Sequence, residues 1–242
     1  MPLALHAREL LETGVTIIPF YSNKIVPAVI SGLRDFSTLP KEVKTAFTIN
    51  QFGEDEPDLG YIRKNPDEDP QSKDRKVYFH WNPFLPAELA KRGVDFSAQL
   101  EWFADCQALF NYGSECMRGI TGNLREFVPE MTAFGEAQPL TKLRLLYYDP
   151  APGDTIVAHP HFDRSTLTLH IAESRPGLLV GEEGKHIDLE KNQALVFPGR
   201  KAEKMTRGRL KAMWHRAVEI DDFASRWAVV LFYHLHDFSV SR

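Results

Sequence analysis

Apolar residues recur with a different spacing in the two parts of the chain. Before Met131 they mostly return every three or four positions, which is the period of an amphipathic helix. This spacing predicts helices over residues 5–12, from an N-cap at Ser22 to Phe36, from near Pro40 through Lys44, and from Asp95 to about Leu124. The last is the longest, and six of its residues are expected to face a core: Leu100, Phe103, Cys106, Phe110, Met117 and Ile120.

Two other features interrupt the helical part. Residues 15–20 are apolar and β-branched, which predicts a strand. Residues 50–76 are rich in Asp, Glu, Pro and Gly, and we expect a long surface loop there.

After Met131 the period changes to two, which is typical of strands with one buried face. Strands are predicted over residues 142–148, 155–159, 166–171, 177–180, 194–197, 209–220 and 226–235. Many short strands separated by turns favour a sandwich or barrel over βαβ units. We therefore expect a mainly β fold with N-terminal helices, built on a double-stranded β-helix (a jelly-roll, cupin-like core).

No repeat or linker divides the chain, so residues 1–242 are expected to form a single domain. Residues 1–131 would supply a mainly helical layer and a loop, and residues 132–242 the β-helix core. The basic run at 200–204 is expected to decorate a hairpin that faces solvent.

Composition and charge narrow the possible partners. The 242 residues carry a formal net charge of −4, and no basic stripe or polybasic run predicts contact with nucleic acid or a membrane. The apolar runs are too short for a transmembrane span and the N-terminus does not resemble a signal peptide. Cys106 and Cys116 lie ten residues apart on one predicted helix, too far for a disulfide. These features favour a cytoplasmic protein, and they leave its oligomeric state open.

Four residues of the β part suggest metal chemistry. His161 and Asp163 are two positions apart, so an extended strand would place both side chains on one face. His215 and Arg226 follow on later predicted strands. Two histidines and one carboxylate with open positions form the facial triad of non-haem Fe(II) sites. An arginine beside such a site can bind a carboxylate through two parallel hydrogen bonds.

Other interpretations of these residues remain open. A strand histidine is more often a core or surface group than a ligand, and an arginine at a strand end is often solvated. His159 is a further candidate ligand or neighbour of the site. Six residues are candidate substrate contacts, although loop packing or solvated charge explains each of them as well: Tyr61, Arg63, Lys76, Phe79, His80 and Arg164.

Longer motifs make the chain resemble the iron- and 2-oxoglutarate-dependent dioxygenases of the isopenicillin N synthase-like class. Two stretches are specific: His161-Phe-Asp163, followed by a Gly-Leu-x-Val motif at 177–180, and the run 206–218 that contains His215-Arg-Ala-Val. Supporting similarities cover residues 39–44, Gly60-Tyr61, residues 74–80, and Arg144-Leu-Leu-Tyr-Tyr-Asp-Pro150.

The resemblance implies Fe(II) bound by His161, Asp163 and His215. It also implies 2-oxoglutarate as co-substrate, with its distal carboxylate on Arg226 and Tyr148, and ascorbate as a further candidate cofactor. The implied reaction uses O2, releases succinate and CO2, and oxidises a small molecule, most often by hydroxylation.

The chain departs from the family pattern at two positions. Ala228 stands where a serine usually adds a hydroxyl to the co-substrate carboxylate, and Leu146 stands where the family has an asparagine. These changes keep open an Fe(II) oxidase of the same fold that does not use 2-oxoglutarate. A non-catalytic metal-binding jelly roll is the third hypothesis.

Overall fold

A computed structural model describes residues 3–22, 24–49, 59–65, 67, 74–149, 155–219 and 225–237. Its helices are α1 (Leu3–Thr13), α2 (Ile25–Ser37), α3 (Lys41–Ala46), α4 (Leu85–Lys91), α5 (Leu100–Phe127) and α6 (Arg200–Met205). Short 3₁₀ turns at Ser97–Gln99 and Pro129–Ala133 flank α5.

The long helix α5 supports the sheet. Five of its six predicted core residues are buried, among them Phe103, Cys106 and Met117. Leu100 is 57% exposed, so its predicted burial is wrong. It is the first residue of the helix, where few neighbours surround a side chain. The prediction followed the helical period alone, and that period does not tell how far the packed region extends.

The strands form two main sheets and one short pair. The strands are β1 (Thr16–Pro19), β2 (Gly60–Lys64), β3 (Lys76–Trp81), β4 (Phe134–Glu136), β5 (Lys142–Tyr148), β6 (Ile156–His161), β7 (Leu167–Glu173), β8 (Leu178–Val180), β9 (Lys185–His186), β10 (Gln193–Pro198), β11 (His215–Val218), β12 (Arg226–Tyr233) and β13 (Leu235–Asp237). The larger sheet has the order β1-β10-β7-β12-β5-β3-β2, and the smaller has the order β6-β11-β8-β9. All pairs are antiparallel, and β13 pairs with β4.

These two antiparallel sheets are the double-stranded β-helix that the strand pattern predicted. The larger sheet also takes in β1, β2 and β3, which come from the part of the chain before residue 131. One hydrophobic cluster joins the helices to the outer face of this sheet, including Leu33 of α2, Met117 of α5 and Leu231 of β12. A separate cluster, with Leu146 and Ala228, lies on the inner face. The inner face is the one that carries the site.

Several local predictions need correction. The predicted loop over residues 50–76 contains β2, and residues 50–58 lie outside the described part of the chain. Ser22 does not cap α2 with its side chain; its carbonyl oxygen accepts the N–H groups of Ile25 and Val26 instead. The predicted strand over 209–220 is observed only at His215–Val218: residues 209–210 form a bend that follows a turn with positive φ at Arg207 and Gly208, residues 211–214 are irregular, and residue 220 lies outside the described part of the chain.

The basic run at 200–204 was also predicted wrongly. It forms α6 and not a hairpin. Ala202 is fully buried within it, and the N–H of Arg200 donates to the carbonyl oxygen of Asp163. The helix therefore packs next to the candidate metal site.

None of the helices within the described ranges combines the length and apolar character needed to cross a bilayer.

Candidate metal centre and its cavity

Strand pairing brings the two predicted histidines together. His161 is the last residue of β6 and lies directly opposite His215, the first residue of β11. Asp163 comes just after the end of β6, so it does not share a regular strand with His161 as predicted. Its carboxylate still reaches both rings: Oδ1 is 3.6 Å from His161 Nε2 and Oδ2 is 3.6 Å from His215 Nε2.

The three donor atoms form a compact group. One ligand atom from each residue lies within 4.8 Å of the others. Donors bound to one ion at roughly 2.1 Å lie about 3 Å apart, so small side-chain movements would close the group around a metal. Two imidazoles and one carboxylate are the donor set of a facial triad.

Hydrogen bonds orient each donor toward the common centre. The Nδ1–H of His161 donates to the carbonyl oxygen of His159 at 2.6 Å, and that of His215 donates to Met213 at 3.1 Å. In the neutral ring this arrangement leaves Nε2 of each histidine unprotonated, which is the form that binds a metal. The hydroxyl of Thr168 donates to Asp163 Oδ2 at 2.7 Å and fixes the carboxylate.

The surroundings of His161 favour its neutral form. Burial lowers the pKa of His161 below its usual value. A neutral His161 keeps its Nε2 lone pair available at neutral pH.

The triad lies in a cavity between the two sheets. The cavity encloses about 530 Å³ including its open mouth. Besides the triad, its lining consists of Lys76, Arg144, Leu146, Tyr148, Ala158, Thr168, His170, Leu178, Phe197, Arg216, Ala217, Arg226, Ala228, Val230 and Phe232. Eight of these fifteen residues are apolar, and four have cationic side chains: Lys76, Arg144, Arg216 and Arg226.

Arg226 lies in this cavity, where it was predicted, and is 1% exposed. Its register partner on β5 is Tyr148, and its guanidinium lies 5.2 Å from the centre of that ring. Ala228 lines the same cavity, as the two-residue period predicted. Gly177 makes room for the guanidinium, since a Cβ there would lie 2.8 Å from Arg226 Cζ.

The sequence did not reveal the partner of Arg226. Its Nη2 donates to Glu173 Oε2, and its Nε donates more weakly to the Arg175 carbonyl oxygen at 3.4 Å. The buried Nη1 meets no acceptor within the described part of the chain. A buried N–H without an acceptor is costly, so Nη1 marks a place where a ligand oxygen fits.

Glu173 is ionised in this setting. Burial would raise its pKa, but the nearby His170 and the charge of Arg226 outweigh it, so the pKa of Glu173 lies below its usual value. His170 Nε2 lies 3.6 Å from Glu173 Oε2 and faces the cavity.

The remaining candidates have other roles. His159 is exposed and does not belong to the triad. Its backbone nitrogen and its Nδ1 both lie 3.1 Å from Asp74 Oδ1. Of the six candidate substrate contacts, Lys76 lines the cavity. Phe79 is in the core, His80 bonds to Arg144, and Arg63 pairs with Asp149 at 3.8 Å. The other two, Tyr61 and Arg164, do not appear in the cavity lining described above.

A family comparison covers the strands that carry the candidate site. Residues 141–235 match the family model of the 2OG-Fe(II) oxygenase superfamily. This segment extends from β5 to β13 and contains the triad, Arg226 and Tyr148. Over this segment the β core is therefore similar to the 2OG-Fe(II) oxygenase superfamily.

Similar proteins extend the comparison to most of the chain. The 2-oxoglutarate-dependent dioxygenases citB of Monascus ruber and mpl2 of Monascus purpureus are each 27% identical over 191 residues, or 73% of this chain. The match spans 57% of the length of each Monascus protein.

Solved structures show the same fold at low identity. A 2OG-Fe(II) oxygenase family protein from Caulobacter crescentus has a TM-score of 0.75 at 22% identity, covering 96% of this chain and 83% of that one. A full-length Neurospora crassa protein in complex with alpha-KG has a TM-score of 0.67 at 22% identity, covering 97% and 79%. The Arabidopsis thaliana dioxygenase for auxin oxidation 1, in complex with 2-oxoglutarate, has a TM-score of 0.67 at 15% identity, covering 96% and 88%.

Proposed function

We propose that this protein is an Fe(II)- and 2-oxoglutarate-dependent oxygenase that oxidises a small molecule. One observation carries the proposal: a compact group of His161, Asp163 and His215 shares a cavity with a buried arginine whose Nη1 lacks an acceptor in the described chain. When bound, iron and 2-oxoglutarate supply the oxidising chemistry, in which O2 is consumed, succinate and CO2 are released and one oxygen atom goes to the substrate.

The protein's own residues have defined parts in this proposal. His161, Asp163 and His215 hold the iron through two Nε2 atoms and a carboxylate oxygen. The Nη1 of Arg226 donates to the distal carboxylate of 2-oxoglutarate, and the ring of Tyr148 keeps the guanidinium in place. Apolar groups such as Leu146 and Val230 exclude water from the space between them.

The comparisons support the co-substrate and the size of the substrate. The Monascus relatives are named 2-oxoglutarate-dependent dioxygenases, and other structures of the Neurospora crassa protein hold thymine or 5-formyluracil beside alpha-KG. We extend only the general class to this chain: a small-molecule substrate with O2 as second substrate. We also propose one structural unit over residues 1–242 and, from the free thiols Cys106 and Cys116, a reducing cytoplasmic environment.

The test is an anaerobic titration with Fe(II) and then 2-oxoglutarate, followed by visible absorption. We expect a weak charge-transfer band that needs both components. His161→Ala and His215→Ala should lose iron binding, and His159→Ala is the matched control because this histidine bonds to Asp74. Iron binding that survives in His161→Ala, or that is lost in His159→Ala, would contradict the ligand assignment.

A second candidate is an Fe(II) oxidase that does not use 2-oxoglutarate. Two observations favour it. The carboxylate of Glu173 already occupies one side of Arg226, and Ala228 lacks the hydroxyl that a serine would offer at this position. Iron binding without the charge-transfer band, together with substrate-dependent O2 uptake that ignores 2-oxoglutarate, would select this function over the first.

A further inference from the structure

Arg144 is a second cationic residue in the cavity, separate from Arg226. It lies on β5, on the same strand face as Leu146 and Tyr148, and lines the cavity that contains the triad. Tyr148 is the register partner of Arg226, and Arg144 lies four residues before it. At about 3.3 Å per residue the two positions are roughly 13 Å apart along the strand.

Its neighbours hold the guanidinium in a fixed orientation. The Nε–H of Arg144 donates to His80 Nε2 at 2.7 Å. The guanidinium carbon lies 4.8 Å from the ring centre of Tyr78 and 4.4 Å from that of Phe232, one ring from each neighbouring strand. Aromatic rings attract the cation without using its N–H groups. The Nη end therefore stays available while the rest of the side chain is fixed.

No carboxylate balances this charge within the described part of the chain. Arg226 is paired with Glu173 and Lys76 with Asp74, whereas no ion pair or Nη hydrogen bond to a described residue involves Arg144. The positive charge of Arg144 also affects the pKa of Lys76. Burial lowers the pKa of Lys76, and the charge of Arg144 lowers it further against the effect of Asp74.

Arg144 is part-buried and oriented, and its Nη end has no counter-ion in the described chain, so a ligand oxygen in the cavity can complete its hydrogen bonds. We propose that Arg144 binds a carboxylate of the primary substrate, so that the substrate is a small organic acid. The planar end of an arginine matches a carboxylate through two parallel hydrogen bonds. Tyr78 and Phe232 would pack against the part of the substrate next to that carboxylate. This inference rests on the proposed function, in which Arg226 is reserved for the co-substrate.

The test compares acids with their neutral amides on the protein loaded anaerobically with Fe(II) and 2-oxoglutarate. The probes are acetate, hexanoate, benzoate and hydrocinnamate, each beside its amide, with binding measured by ligand-observed NMR. We expect at least one acid to bind tenfold or more tightly than its amide. Arg144→Met should abolish this preference, and Arg144→Lys should keep part of it, since the charge remains while the planar end is lost.

Arg118→Met is the matched control, because it removes the same charge from an exposed arginine paired with Glu136. It should keep the full preference for acids. Circular dichroism of each variant reports whether the fold is kept, and Arg144→Lys is the variant to rely on if Arg144→Met unfolds.

Three results would overturn the proposal. The first is that no acid binds more tightly than its amide, and the second is that the preference for acids survives in Arg144→Met. The third is that Arg144→Met weakens 2-oxoglutarate binding tenfold, which would assign Arg144 to the co-substrate. Failure of the proposed function is a different result: the wild-type protein shows no charge-transfer band. In that case the acid and amide comparison is made on the metal-free protein with Arg144→Met beside Arg226→Met, and a preference for acids that is lost only in Arg226→Met would also overturn the proposal.

Discussion

Arg226 and Glu173 form a buried ion pair in the wall of the cavity, although they are 53 residues apart in the chain. The pair uses Nη2 of the arginine and leaves Nη1 without an acceptor in the described residues. A bound dicarboxylate would thus bring its charge close to an existing carboxylate. Glu173 is therefore expected to set how tightly the co-substrate binds.

Replacing Glu173 should strengthen co-substrate binding. Glu173→Gln keeps the size and an acceptor oxygen but removes the charge that opposes 2-oxoglutarate. We expect a Kd for 2-oxoglutarate about tenfold lower, roughly 1.4 kcal/mol, in the anaerobic band titration. A higher Kd would mean instead that the carboxylate serves mainly to position Arg226.

A hydroxyl introduced at position 228 should also strengthen co-substrate binding. Ala228 lines the cavity two residues after Arg226, on the same face. Ala228→Ser offers a donor to the co-substrate carboxylate, and one net hydrogen bond is worth about 0.5–1.5 kcal/mol. The same titration should show a Kd two- to tenfold lower. Trp227→Phe, on the opposite strand face, is the comparison and should leave the Kd unchanged.

Removing the hydroxyl of Thr168 should weaken metal binding. Thr168→Val has a similar shape but cannot donate to Asp163 Oδ2. Loss of such a supporting hydrogen bond typically lowers metal affinity about 10–100-fold. Thr168→Ser keeps the hydroxyl and should bind Fe(II) nearly as the wild type does in an equilibrium competition with a chelator. Equal affinities for the valine and serine variants would exclude this role.

The buried pair Asp74–Lys76 should make stability depend on acid pH. Burial opposes ionisation of Asp74, but Lys76 and the N–H groups of His159 prevail and hold its pKa at about 2, below the usual 3.8. Because the folded-state pKa is the lower one, this stabilisation is complete above about pH 4 and is lost as the pH falls toward 2. Urea unfolding at several pH values measures it.

A substitution tests the same pair at neutral pH. Asp74→Asn leaves Lys76 buried without its partner, which should lower the free energy of unfolding by about 3 kcal/mol. Asp67→Asn is the matched control: its ion pair with Arg75 is exposed and screened by solvent, so the loss should be much smaller. Similar losses in the two variants would contradict the importance of burial here.

Local patterns predicted much of the fold because they need only neighbours in the chain. The two-residue period gave β5 with its observed bounds, and it also placed Arg226 and Ala228 on one face. The same period also places Arg144 on the same strand face as Tyr148, because the two residues are four positions apart on β5. Two local predictions were wrong. The side chain of Ser22 does not cap α2, and the strand predicted from residue 209 is preceded by a turn and begins only at His215.

The sequence by itself determined which donors were available: two histidines, an aspartate and an arginine, with the residue types that suit iron and a carboxylate. Only the tertiary structure decided which other residues surround these donors. Glu173 reaches Arg226, and the Nη end of Arg144 stays without a described partner, because strands distant in the chain pair side by side. Pair contacts of this kind depend on strand order and register, and no short stretch of sequence encodes either of them.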